Sequence, residues 1–118
     1  MIKDITIKSK ISIKTAMKQL NKSAEKCLIV IDKNQKLLGT LSDGDIRKSL
    51  LNGFSLGDKI EKVFNRDSTF LIENNYDLNE VKRIFLDNKF DLIPITNKEK
   101  ILKSILTWES IFENKKNE

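Results

Sequence analysis

Shifting the chain by 65 residues lays Ile11–Ile46 over Tyr76–Ile111 without a gap, and the apolar positions coincide. Ile13 meets Leu78, Ala16 meets Val81, Leu20 meets Phe85, Cys27 meets Leu92 and Leu28 meets Ile93. Farther on, Val30 meets Ile95, Leu37 meets Leu102, Leu41 meets Leu106 and Ile46 meets Ile111. A shared apolar register of that length implies two copies of one supersecondary unit, each burying its apolar face best against its sibling. The copies differ most in chemistry where Ser42-Asp43-Gly44-Asp45 stands over Thr107-Trp108-Glu109-Ser110. Function is to be sought there.

Each copy reads strand–helix–strand–strand–helix. Ile13, Ala16, Met17 and Leu20 follow helical spacing, with Ser12 placed to cap. Cys27–Ile31 is a short apolar run rich in β-branched residues and suits a buried strand. Asp32–Lys36 carries turn formers, and Leu37–Leu41 answers as the second strand of a hairpin. Asp43 and Asp45 lie ahead of a helix that turns Ile46, Leu50 and Ser49 inward and closes at Asn52-Gly53. In the second copy Thr69–Ile72 is the entering strand, Asp77 or Asn79 the cap, and Leu78, Val81, Ile84 and Phe85 the core face of the helix. Asp91–Thr96 repeats the buried strand. Its Pro94, the single proline, predicts an edge position or a bulge. Ile101–Leu106 and Thr107–Phe112 complete the copy.

The expected organisation is repeat 1 over 4–53, a connection over 54–68, repeat 2 over 69–113 and a polar tail or linker over 114–118. At 118 residues the chain has the length of one compact domain or of two half-size repeats. No apolar run reaches the roughly 20 residues of a membrane span, and the start lacks the apolar core of a signal peptide. Cys27 is the single cysteine, in an apolar run with no basic neighbour to activate it. The reading is soluble and cytoplasmic. There is no histidine, which removes histidine acid–base catalysis, the triads built on it and most zinc sites. Net charge is +5, yet basic residues alternate with acidic ones, as on a solvated surface rather than a nucleic-acid patch. Asp43 and Asp45 are paired carboxylates without a third local oxygen donor, so no metal site is expected.

Leu38-Gly39-Thr40-Leu41-Ser42-Asp43-Gly44-Asp45-Ile46-Arg47, with the repeat order and Ile93-Pro94-Ile95, resembles a tandem CBS domain pair, the family named for cystathionine β-synthase. The second copy keeps Thr107 but has Ser104 for the glycine and Ser110 for the aspartate of that signature. The resemblance implies an α+β fold of two β-α-β-β-α repeats packed with pseudo-two-fold symmetry. A narrower resemblance, through Gly39–Lys48 and Leu50-Leu51-Asn52-Gly53, is to the CBS pair that precedes sugar-phosphate nucleotidyltransferase domains.

Ser42 and Asp45 are three residues apart where strand becomes helix, so both can face one cleft at the helix N-terminus. An ionised carboxylate there suits the hydroxyls of a ribose, and the helix end favours phosphate. The resemblance implies an adenine nucleotide, with S-adenosylmethionine in the same ligand class. In the cleft expected between the two repeats, Asp45 would hold the ribose, Ser42 the ribose or phosphate, Arg47 or Lys48 the phosphate, and strand residues Ile11 and Ile29 the adenine. Thr107 and Ser110 would form a weak second site. The module is expected to perform no reaction, to associate as a homodimer, and to regulate a nucleotidyltransferase domain in cis or a partner. The rivals are a structural dimerisation module with a vestigial site, an Asp43/Asp45 phosphotransferase and a nucleic-acid binder. Trp108 is read as a packing residue.

Overall fold

The computed structural model describes residues 2–112, and the expected tail at 114–118 lies outside the described residues. The chain divides into two compact units, Met1–Ser68 and Thr69–Glu118. In the first, β1 (Thr6–Ile7), α1 (Ile13–Lys22), β2 (Cys27–Ile31), β3 (Leu37–Ser42) and α2 (Asp43–Leu51) follow in order. In the second, β4 (Leu71–Ile72), α3 (Leu78–Asn88), β5 (Leu92–Thr96), β6 (Leu102–Thr107) and α4 (Trp108–Phe112) repeat the series. Each unit has a three-stranded sheet with its long apolar strand, β2 or β5, in the middle. That strand pairs parallel with the short first strand and antiparallel with the third.

The internal repeat holds down to individual hydrogen bonds. Asp32 Oδ1 accepts from the backbone of Asn34 and Lys36 at 2.8 and 2.9 Å, and Asn97 Oδ1 accepts from Glu99 and Ile101 at 2.9 Å each. Both hairpins place a non-glycine residue in the left-handed region at the same step, Gln35 (φ 68°) and Lys100 (φ 70°). Both ladders shift register at the same step, between Val30 and Ile31 and between Ile95 and Thr96. The caps match too: Ser12 Oγ accepts from Thr15 N at 3.1 Å, and Asp77 Oδ2 from Glu80 N at 3.2 Å. Of the two expected caps for α3, Asp77 is the one used.

Burial explains the elements. All five residues of β2 and of β5 are buried, as a strand covered on both faces must be. Ile13 and Ala16 face the core from α1, and Val81 and Phe85 from α3. In the second unit the Phe85 ring meets Trp108 and Phe112 edge-on at 6.1 and 6.4 Å, and Trp108 lies 4.4 Å from Phe112. Trp108 therefore touches both rings while itself remaining exposed.

Several expectations change. Pro94 occupies the middle strand, not an edge. The short β4 pairs only with Ile95 and Thr96, so the ladder asks for no N–H at Pro94 on that side, and the register shift follows directly after. Leu50 points outward, and Ser49 takes the inward place, its Oγ donating to Ile46 O at 2.7 Å. Leu78, the first residue of α3, is exposed although its repeat partner Ile13 is fully buried. Ile11 lies in a bend ahead of α1 rather than on a strand, and the entering strand of the second unit is only Leu71–Ile72.

Residues 54–68 are more than a connection. Leu56 O and Asp58 O accept from Lys14 N and Ile13 N at 2.9 and 2.8 Å, satisfying two of the unpaired donors at the start of α1. Ile60 is fully buried and Phe64 nearly so.

Candidate functional site

The two turns of chain that differ most between the repeats are built alike. Ser42 ends β3 in an extended conformation and caps α2, which begins at Asp43, one residue earlier than a cap at Asp43 and three earlier than a cap at Asp45 would start it. Ser42 Oγ accepts from Asp45 N at 3.1 Å, and Asp45 Oδ2 accepts from Ser42 N at 2.9 Å. This reciprocal capping box satisfies two backbone donors at once. In the second unit Thr107 Oγ1 accepts from Ser110 N at 3.1 Å, and Ser110 Oγ accepts from Thr107 N at 2.8 Å.

The chemistry left over differs. Ser110 Oγ also donates to Thr107 O at 2.9 Å, so its hydroxyl hydrogen and a lone pair are both engaged. Asp45 has a second carboxylate oxygen, Oδ1, which takes no hydrogen bond from the described residues. The side chain is half-buried, at a strand-to-helix turn whose remaining N–H groups favour negative charge. Oδ1 is an acceptor for a hydroxyl brought by a ligand. Ser110 has no such atom.

The neighbouring cations are placed differently from one another. Arg47 Nη2 lies 3.7 Å from Asp43 Oδ2, one helical turn back, with both side chains about two-thirds exposed. Such a pair adds little stability and opens readily. Lys48 is exposed, with no partner among the described residues. Ile29 is fully buried in the middle strand between Thr6 and Thr40, so its backbone is flanked by ladder partners on both sides. Ile11 gives its carbonyl to Ile60 N at 2.9 Å. The first unit thus brings Ser42 and Asp45 into direct contact, keeps Arg47 within the same helix start, and encloses Ile29.

One surface cavity borders the junction at Asp43, and a second lies in the second unit. The first, of about 190 Å³, is lined by Leu20, Asn21, Ser23, Glu25, Lys26 and Asp43. The other, of about 440 Å³, lies by Asn74, Asn97, Lys98 and Glu99 in the second unit. Among the described residues no cluster of three acidic, cysteine or histidine side chains could hold a metal ion. No helix among them is long and apolar enough to cross a membrane. Sequence reasoning singled out Ser42 and Asp45 but missed that each holds the other. The Ser-x-x-Asp and Thr-x-x-Ser spacings at matched repeat positions were the available signal.

Residues 1–52 match the family model of the CBS domain. Over 116 residues, 98% of its length, the chain is 25% identical to inosine-5'-monophosphate dehydrogenase of Aquifex aeolicus. It spans only 23% of that relative. Solved structures share the fold across nearly all of the chain. CBSX2 in complex with AMP matches with a TM-score of 0.77 and 22% identity, over 94% of this chain and 87% of that one. The cytosolic domain of the Mg²⁺ channel MgtE in complex with ATP matches with a TM-score of 0.75 and 18% identity, over 92% and 44%. The fold is the α+β architecture of CBS-domain structures, with a three-stranded sheet and helices in each unit.

Proposed function

We propose that this chain is a regulatory, non-catalytic module that binds an adenosine-containing small molecule at the β3–α2 junction of its first unit. The observation that carries the reading is the spare anionic Oδ1 of Asp45, in the unit that matches the CBS domain, at the position where the second unit has Ser110, which has no carboxylate and has already donated its hydroxyl hydrogen. AMP, ADP, ATP and S-adenosylmethionine share the ribose hydroxyl that such an oxygen would accept; S-adenosylmethionine lacks the phosphate. Ser42 contributes its Oγ lone pair, and Arg47 released from Asp43, with Lys48, supplies charge for a phosphate. AMP and ATP are bound by two proteins of the same fold, CBSX2 and MgtE, which supports the adenine nucleotide.

Thr107 and Ser110 form a weak or empty second position. The ligand acts by favouring one arrangement of a homodimer over another, since binding shifts an equilibrium only through a difference in affinity. The regulated activity is a sugar-phosphate nucleotidyltransferase, in cis or as a cytoplasmic partner, which the Gly39–Gly53 wording supports.

A thermal-shift series against AMP, ADP, ATP, GTP and S-adenosylmethionine tests this. A ligand at about a hundred times its Kd adds about 2.7 kcal/mol and raises Tm visibly. An adenosine compound is expected to do so and GTP not. The second reading, a dimerisation module whose site is vestigial, draws on the committed Oδ2 of Asp45, which serves α2 as Ser110 serves α4. No shift with any compound, in a chain that sediments as a dimer, would favour it.

A further inference from the structure

Residues 54–68 lie between the two overlaid stretches, and the family match stops at residue 52. Yet the chain from Leu56 to Asn65 is bonded to the first unit at both ends of its course. Its early part gives Leu56 O and Asp58 O to the first N–H groups of α1, and Ile60 N takes Ile11 O. Its later part lies along β3, where Thr40 and Asn65 exchange both backbone hydrogen bonds, at 3.0 and 2.8 Å. Arg66 closes the segment, with its guanidinium 4.2 Å from the Phe64 ring centroid and a donated bond to Glu61 O.

Gly39 makes this seat possible. A Cβ at that position would stand 2.1 Å from Asn65 O, 2.9 Å from the Phe64 ring and 3.0 Å from Asn65 C. Two of the three obstructing atoms are backbone, so no rotamer change relieves the clash. The matching residue of the second repeat is Ser104, which has that Cβ and is exposed on β6.

We infer that Leu56–Arg66 is an integral strap of the first unit, keyed by Gly39, and that the true connection between the units is Asp67 and Ser68. The folding unit is then 1–68 rather than the 52 residues that the family match covers. The strap also ties the Ile11 bend to Thr40, two residues before Ser42, so the candidate junction and the start of the connection form one body.

Hydrogen exchange and limited trypsin digestion of the full chain test this. The amides of Ile60 and Asn65 should exchange at least about a hundredfold more slowly than in unstructured peptide, as docked backbone does. Cleavage after Lys59 and Lys62 should be slow in proportion. In Gly39→Ser, protection at Asn65 should fall by about tenfold or more, while Ser104→Gly leaves it unchanged. If Gly39→Ser does not fold, the wild-type chain still decides. Unprotected Ile60 and Asn65 amides with rapid cutting after Lys62 would overturn the strap. Equal Asn65 protection in Gly39→Ser and wild type would overturn the role of the glycine.

Discussion

Replacing Asp45 by alanine removes the acceptor for Ser42 N–H and, on the proposed reading, the acceptor for a ribose hydroxyl as well. The two roles separate by substitution. Asp45→Ala should cost about 0.5–2 kcal/mol in denaturant unfolding, the usual worth of a cap. Asp45→Asn keeps an oxygen for Ser42 N–H but loses the charge. It should unfold close to wild type while binding nucleotide about ten- to hundredfold more weakly, the worth of a charged hydrogen bond. Ser110→Ala should lose cap stability only. Asp32 gives a second residue-level expectation. Its carboxyl is held below the ordinary 3.8, first by the Lys36 N–H it accepts and further by Asn34 N–H and nearby lysines, against some desolvation. The folded state thus binds its proton less readily than the unfolded chain. Its stabilisation is complete above the ordinary value and is lost as pH falls through the depressed one. An Asp32→Asn chain should show a flatter stability profile across that acid window in urea titrations. The sequence made Ser42 and Asp45 legible as a polar pair at a strand–helix turn. It did not tell their mutual hydrogen bonds from outward-facing ones, because the same spacing serves a cap and a ligand.

At the scale of elements, α3 shows why one side of a helix is decisive and the other replaceable. Phe85 is fully buried and meets both aromatic rings of α4 edge-on. Truncating it to alanine removes the centre of the second unit's core, with Val81, Ile93 and Ile111 around it. The expected loss is about 3–5 kcal/mol. Leu86→Ala, on the exposed side, should change stability by less than about 0.5 kcal/mol. Thermal unfolding followed by Trp108 fluorescence checks both. The helices, the hairpins and the middle strands were readable because apolar spacing fixes them. Ile60 and Phe64 were not, since they sit in a 3-10 turn and an irregular stretch with no period, and only tertiary contact shows them buried. Pro94 misled for a related reason: the neighbour that leaves its missing N–H unasked is a two-residue strand that no local pattern announces.

For the whole molecule, the offset of 65 residues proved to be a repeat of hydrogen bonds as well as of apolar positions, and its breaks mark where the chemistry of the halves differs. Gly39 against Ser104 divides a strand position that admits the Asn65 backbone from one that carries a Cβ. Asp45 against Ser110 divides a junction with a spare anionic acceptor from one with none. The central claim is that the first of these junctions recognises adenosine. Isothermal titration calorimetry of AMP, ATP and S-adenosylmethionine into the wild-type chain and Asp45→Asn tests it most directly. One binding event per chain is expected with at least one of these compounds, weakened about ten- to hundredfold in Asp45→Asn at unchanged Tm. No heat with any of the three, or equal affinity in wild type and Asp45→Asn, would contradict it.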